Sequence, residues 1–355
     1  MEKVLLGMSG GVDSSVAAIL LKEQGYEVIG ITMILCQNEN STSCMNLNIV
    51  NDAKKVCSQL GIEHHVLNLQ EEFKKHVIED FISCYQNVKT PNPCIECNKY
   101  MKFGLMYEKA KELGCKYIAT GHYAKTEYDE EYKKIVLRKS KSENKDQTYV
   151  LYTMPEYMVE HVLFPLGDFK NKDEIREIAK KYNLETASKK DSQDICFIPD
   201  GDYIKFLDEN NIKFKKGNII TKDGTILGKH EGLHRYTIGQ RKGLGIAYKT
   251  PLYVIKLDKE KNEVIVGEEK EIYSKKIIAY DFNNVLGIDI DNLEVEAKVR
   301  YLAAPSKAII KRLENEKVEV EFKEEQRAVT PRTISSILYR RCCSRRRKDF
   351  VVNGE

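Results

Sequence analysis

Two groups of residues have the types and spacing that chemistry needs. The first is a set of thiols. Pro91-Asn92-Pro93-Cys94-Ile95-Glu96-Cys97-Asn98-Lys99 opens a helical stretch, and an isolated Cys196 follows in Lys189-Lys190-Asp191-Ser192-Gln193-Asp194-Ile195-Cys196-Phe197. The two prolines hold the approach extended. A thiol at a helix N-terminus ionises more readily, and the thiolate is the nucleophile. Lys189 and Lys190 would stabilise a Cys196 thiolate if they face it. Cys94, Cys97 and Cys196 allow three readings: a structural zinc site with no evident fourth ligand, a [4Fe-4S] cluster with one open iron, or a persulfide carrier with a second thiol that resolves it as a disulfide. Cys36, Cys44, Cys57, Cys84, Cys115, Cys342 and Cys343 read as buried or incidental, with Cys57 and Cys84 in helix cores.

The second group is Gly7-Met8-Ser9-Gly10-Gly11-Val12-Asp13-Ser14-Ser15, between an apolar strand and a helix. Glycines let the backbone turn and bring N–H groups close to an anion. Ser14 and Ser15 are placed to cap the helix, whose N-terminus favours a phosphate. The loop is not a Walker A; the nearest match to one, at residues 224–230, is a residue short and lies in a β region. Nor does strand one lead into a dinucleotide G-x-G-x-x-G.

The elements that must hold these groups alternate. Residues 4–8, 28–34, 65–69 and 117–120 read as strands, and 14–24, 49–60, 71–88 and 99–113 as helices with apolar spacing of three and four. Gly25, Gly61 and Gly114 stand where helices should end. Such alternation predicts a parallel sheet covered on both faces, with ligands beyond the carboxyl ends of its strands. Residues 36–48 read as a polar insertion and 123–144 as a hairpin excursion. From about residue 210 the texture becomes short strands with turns, including Lys222-Asp223-Gly224. The expected units are residues 1–205, 206–275 and 276–355, the last ending in a basic cluster (Arg340, Arg341, Arg345, Arg346, Arg347 and Lys348) able to hold phosphates.

Composition sets the bounds. A chain of 355 residues suits two or three domains, and 42% hydrophobic residues are enough for real cores. A net charge of +3 requires any nucleic-acid surface to be local. No apolar run approaches the roughly 20 residues that span a bilayer. The N-terminus lacks a signal-peptide pattern, so a cytoplasmic location is expected, where ten cysteines stay reduced.

The glycine loop resembles that of the ATP pyrophosphatase (PP-loop) superfamily. Further motifs narrow the likeness: Thr90-Pro91-Asn92-Pro93, Cys97-Asn98-Lys99, Lys102-Phe103, Ala119-Thr120-Gly121-His122-Tyr123, Lys145-Asp146-Gln147, residues 191–198, residues 232–245, and Gln326-Arg327-Ala328-Val329-Thr330-Pro331. In this order they resemble the tRNA-specific 2-thiouridylase family. The resemblance implies an α/β fold: a parallel-sheet adenine-nucleotide-binding domain followed by two small β-rich domains, the last barrel-like. It implies ATP-dependent 2-thiolation of the wobble uridine (U34) of tRNA, by adenylation of O2 and sulfur transfer from a cysteine persulfide.

The same resemblance assigns roles to residues. Gly7, Met8, Ser9, Gly10, Gly11, Val12, Asp13, Ser14, Met33 and Gly121 would line the ATP site, with Asp13 also catalytic. Asn92, Pro93 and Cys94 would meet the target base. His122, Lys145, Asp146, Gln147, Arg300, Tyr301 and the position of Thr333 would meet tRNA. Cys97 would be the nucleophile and Cys196 the persulfide carrier, ending as a Cys97–Cys196 disulfide. Mg2+ is expected with ATP, as is a cysteine desulfurase or sulfur-relay protein as donor, and no membrane is involved. Two departures stand out. Cys94 occupies a position that is commonly aspartate, which keeps the cluster reading open. After Pro331 the family's Gly-Gln is replaced by Arg332-Thr333, so the last barrel strands are expected to be altered or missing, and the rival to the enzyme is a tRNA-binding protein of the same fold that cannot turn over.

Overall fold

The structure is a computed structural model. It describes residues 1–36, 47–142, 144–189, 195–280, 282–284, 286, 288–300, 303–314, 317–329, 335–341 and 348–354, with 47, 335–341 and 348–354 described as backbone. The insertion expected at 36–48 and the motif at 191–198 lie largely outside these residues, as do Cys44, Cys342, Cys343, Arg345, Arg346 and Arg347.

β1 (Lys3–Gly7) leads through the glycine loop into α1 (Val12–Glu23), followed by β2 (Glu27–Ile34), α2 (Leu47–Leu60), β3 (Glu63–Asn68) and, after two further helical runs, β4 (Tyr117–Ala119). A hairpin of β5 (Ala124–Asp129) and β6 (Lys134–Lys139) interrupts the alternation before β7 (Val162–Leu163). The sheet has the order β3-β2-β1-β4-β7 with parallel pairing throughout. Period-two alternation puts β1 between two cores. Val4 and Leu6 pack with Val16, Ala17, Ala53 and Val56 of α1 and α2, while Leu5 packs with Ile29, Ile31, Phe103 and Met106 on the other face. The strand order reverses between β1 and β4, which opens a crevice at their carboxyl ends.

The helices differ from expectation in two ways. The helix expected over 99–113 begins earlier, at Pro93, and its middle, Cys97–Leu105, is π-helical. The helix expected over 71–88 likewise contains a π segment, Lys74–Ile78. A further helix, Lys172–Lys181, was not foreseen. It is capped by Asn171 Oδ1, which accepts from Asp173 and Glu174 N–H at 3.0 and 3.1 Å.

The second unit is the sheet β10-β11-β8-β9, formed by β8 (Gly217–Thr221), β9 (Ile226–His230), β10 (Tyr253–Asp258) and β11 (Glu263–Gly267). The helix Tyr203–Glu209 crosses the boundary expected at 205 and packs Leu207 with Phe73, Phe81 and Phe197 of the first unit. The third unit is a six-stranded antiparallel sheet, β12-β15-β14-β13-β16-β17, from β12 (Tyr273–Ala279), β13 (Leu293–Lys298), β14 (Ser306–Arg312), β15 (Val318–Arg327), β16 (Ser335–Arg341) and β17 (Lys348–Gly354). Of the expectation that the last strands are altered or missing, the second alternative does not hold: the tail supplies two strands. The β16 backbone pairs with β13 at Ala297↔Ile337, and β17 pairs with β16 along its length.

Candidate active site

The loop after β1 is drawn tight by its own groups. Gly10 has φ +66°, and a Cβ there would stand 2.9 Å from the Ile49 carbonyl, so only glycine makes this turn without strain. Met8 is pinned by its N–H to Ile31 (2.7 Å) and by Thr32 Oγ1 donating to its carbonyl (2.9 Å). The serines do not cap as expected. α1 begins at Val12 with Gly11 as its N-cap, and Ser14 and Ser15 donate back to the Gly11 carbonyl at 3.2 and 2.8 Å. The first N–H groups of a helix lack intrahelical partners, which suits the start of α1 to an anion. Across the crevice, Gly121 lies so close to α1 that a Cβ would meet Ser14 N at 3.0 Å. Met33 is half-buried near the end of β2.

Asp13 is held from two directions. Tyr123 donates its hydroxyl to Oδ1 at 2.9 Å, and Lys172 reaches Oδ2 at 2.5 Å. Lys189, expected near Cys196, instead bonds the Gly10 carbonyl at 2.9 Å and pairs with Asp52. Its ammonium belongs to the loop and not to the thiol. Lys172 was missed by the sequence reading. The cap signal Asn171-Lys172-Asp173-Glu174 ahead of apolar residues at 175, 178 and 179 could have found its helix, though not its partner.

The thiols lie on two elements, Cys94 and Cys97 at the start of the helical run that opens at Pro93 and Cys196 in a turn far along the chain. Cys97 is buried, and burial pushes its thiol up to about 12, opposed by Lys102. Cys94 is open to solvent, although protein surrounds it closely enough to raise its thiol too. Cys196 is half-buried in a turn closed by Ile198 N–H on the Ile195 carbonyl at 2.8 Å. Its neighbour Phe197 anchors that turn among Phe73, Phe81 and Phe206, with ring centroids 5.2–5.8 Å apart. Cys94 and Cys196 both act electrostatically on Cys97. Asn92 precedes the helix and Pro93 opens it, buried. Asn98 donates to the Val150 carbonyl at 2.8 Å, but its Oδ1 is buried without a partner among the described residues.

His122 links the two ends. It follows Gly121, is buried, and bonds Thr120 Oγ1 at 2.7 Å through Nδ1 and Lys102 Nζ at 3.4 Å through Nε2. It lies inside the protein, not on an outer surface. Gln147 and Tyr123 bond each other twice through Tyr123's main chain, at 2.8 and 2.9 Å. Asp146, whose carboxyl burial pushes up, accepts from Ser140 N–H and Thr148 Oγ1. Lys145 is half-buried beside them. Arg300 Nη2 donates to the Ile238 carbonyl at 3.1 Å and to that of Ala328, joining the second and third units. Tyr301 and Thr333 lie outside the described residues.

Sequence models of three families match in succession: a tRNA methyl transferase HUP domain at residues 2–200, a tRNA methyl transferase PRC-barrel domain at 204–268, and an aminomethyltransferase β-barrel domain at 274–337. The chain is 47% identical to the tRNA-specific 2-thiouridylase MnmA of Clostridioides difficile, with 93% of this chain and 92% of that protein covered. The chain belongs to the tRNA-specific 2-thiouridylase family. Another 2-thiouridylase, from Acetivibrio thermocellus, is 49% identical, with 93% of this chain and 94% of that protein covered. Among solved structures, the U34-tRNA thiolase NcsA from Methanococcus maripaludis with its [4Fe-4S] cluster is 19% identical at a TM-score of 0.36, covering 59% of this chain and 66% of that one.

In this 2-thiouridylase, no three His, Cys, Asp or Glu side chains among the described residues stand together as a metal-ligand group. Among the described residues, no helix is long and apolar enough to cross a membrane.

Proposed function

We propose that this chain is an ATP-dependent sulfurtransferase converting the wobble uridine (U34) of tRNA to 2-thiouridine. The observation that carries the reading is that the phosphate loop and the helical segment bearing Cys97 are joined through Gly121, His122 and Lys102. The α1 N-terminus touches Gly121, His122 follows it and bonds Lys102, and Lys102 acts on Cys97 and Cys94. A nucleotide and a thiol chemistry thus share one crevice.

Uridine O2 attacks the α-phosphorus of ATP, and pyrophosphate leaves toward the N–H groups of Gly7–Ser14. Those groups bear the growing charge without reorganising. Mg2+ would be held mainly by the phosphates, since it keeps several waters and takes few protein ligands in such sites. A persulfide on Cys196 then attacks C2 with its outer sulfur, expelling AMP. Cys97 as thiolate attacks the inner sulfur, freeing the thiolated base and leaving a Cys97–Cys196 disulfide that a dithiol reductant reopens. The half-open Cys196 is the thiol that a desulfurase or relay protein can load, and the buried Cys97 is suited to resolve it. Asn92, Pro93 and Cys94 take the base, and Lys145, Asp146, Gln147, Arg300, Tyr301 and Thr333 take the tRNA body.

The test is sulfur incorporation into unmodified tRNA with ATP and a persulfide donor. Cys97→Ser and Cys196→Ser should each abolish 2-thiouridine, while Cys94→Ser retains most of it. Tight tRNA binding without any incorporation by the unaltered chain would replace this reading with the binding protein.

A further inference from the structure

Residues 232–245 form a motif that the thiolation chemistry does not use. They open a stretch, 232–257, with five cations (Arg235, Arg241, Lys242, Lys249 and Lys256) and no Asp or Glu. In a chain whose net charge is only +3, positive charge is concentrated here. Between Gly239 and β10 the stretch is a loop on which Arg241, Lys242 and Lys249 are exposed. Lys256 pairs with Asp258 at 3.5 Å, whereas, among the described residues, those three have no carboxylate partner.

The loop is braced from within. Gly239 N–H donates to the Val254 carbonyl at 2.7 Å, and Val254 N–H donates to that of Gln240 at 3.0 Å. Gln240 Oε1 accepts from Thr237 N–H and its Nε2 donates to the Lys242 carbonyl, both at 3.0 Å. Gly243 and Gly245, with φ +77° and +69°, turn the chain on either side of Leu244. Leu244 and Leu252 are buried in the second unit's core. A cavity of about 460 Å³ lies in the loop, and Arg241, Tyr248 and Lys249 help to line it.

Its anchors also place it. The cluster that takes Leu244 and Leu252 takes Val88 as well, a few residues before Asn92-Pro93-Cys94. On the other side, Arg300 Nη2 donates to the Ile238 carbonyl at 3.1 Å and to that of Ala328, at the joint from which the loop departs. The loop is thus tied to the segment read as meeting the target base and to an arginine read as meeting tRNA.

We propose that loop 240–251 is a contact of the second unit with the tRNA backbone, with Arg241, Lys242 and Lys249 on phosphates. The proposal rests on the thiolation reading above and deepens it. Phosphate oxygens are met by cations not already spent on carboxylates, and a braced loop loses little freedom on binding. Tyr248 is 45% exposed, with the Lys249 ammonium 6.0 Å over its ring. That flat face suits ribose and base better than the carboxylates of an acidic protein.

The experiment measures binding of unmodified tRNA by filter retention, without ATP or sulfur donor, from about 0.05 to about 0.3 M salt. The triple variant Arg241→Gln, Lys242→Gln, Lys249→Gln changes only exposed side chains. At about 0.15 M salt its affinity should fall about tenfold or more, and the slope of log affinity on log salt should shrink by about two to three. The same change of charge on the third unit, Lys270→Gln, Lys275→Gln, Lys323→Gln, should stay within about threefold of the unaltered chain. Equal losses in the two triples would assign the effect to overall charge and overturn the proposal. So would unchanged affinity in the loop triple while the unaltered chain binds and thiolates tRNA, a result that leaves the thiolation reading standing. Unchanged tRNA affinity with slower sulfur loading by a donor protein would overturn it in favour of a protein-docking loop. An unaltered chain that binds no tRNA would end both readings.

Discussion

At the β1–α1 loop the charged side chains already have partners. Asp13 is held by Tyr123 and Lys172, and Lys189 by Asp52 and the Gly10 carbonyl. At the thiol end, Cys97 and Cys94 sit with raised pKa values and one opposing ammonium. One end of the active site is finished when the chain folds, whereas the other waits for a proton to leave. The contrast suits the two half-reactions. Stabilising a departing pyrophosphate needs fixed donors, while sulfur transfer needs a nucleophile that stays quiet until substrate is near.

The strongest challenge to that contrast is Asp13→Ala. Releasing Lys172 and Tyr123 together should lower AMP formation by roughly 10² to 10³-fold, with tRNA affinity within a few-fold, measured by AMP release and filter binding. A matching loss of tRNA affinity would mean that the loop is not a separate finished part. Gly121→Ala should have a smaller effect. Its new Cβ meets Ser14 N at 3.0 Å and nudges α1, so the KM for ATP should rise by about tenfold, while thiol alkylation stays as in the unaltered chain.

The smallest effect concerns stability. Cys57 is buried against Gly30, and burial pushes its thiol up to about 11. A raised folded-state pKa in an acid favours the protonated fold. Its contribution is complete below the unfolded value of about 8.5 and is lost as pH climbs toward about 11. The melting temperature should decline across that window, and less steeply in Cys57→Ala, even though that variant starts lower because it leaves a small void. Parallel declines in the two proteins would assign the loss to other groups.

The glycine loop was legible because its signals are local: apolar strand, paired glycines and small polar residues in fifteen positions. The helix-terminal glycines were legible for the same reason, and Gly25, Gly61 and Gly114 do adopt φ of +87°, +62° and +69°. What sequence could not give is which distant charge completes a local motif. Lys172 and Asp13 are 159 positions apart, and Lys189 lies near Cys196 in sequence yet binds the loop. The serine caps failed because α1 starts two residues sooner than its apolar spacing suggested. The π segments left no mark in periodicity, since Met101 and Phe103 are both buried around Lys102. The tail was expected to be altered or missing on its departure from the family pattern at Arg332-Thr333; its two strands are present as backbone, because strand pairing uses the main chain and tolerates a change of side chains.

The β5–β6 hairpin belongs by sequence to the first unit, yet Val136 at its middle is part of the third unit's core, with Val295, Ile310, Val320 and Phe322. Asn283 reinforces the join by donating to the Tyr152 and Met154 carbonyls at 2.6 and 2.8 Å. During synthesis this has a timetable. The ribosome must add 186 residues after Val136 to reach Phe322, about 10 to 40 s of translation, before the hairpin's apolar face has its cover. Until then the nascent chain carries an uncovered β-ribbon beside Lys145, Asp146 and Gln147. A lesion late in the gene would thus act backwards along the chain, leaving a finished nucleotide fold with an unfinished hairpin.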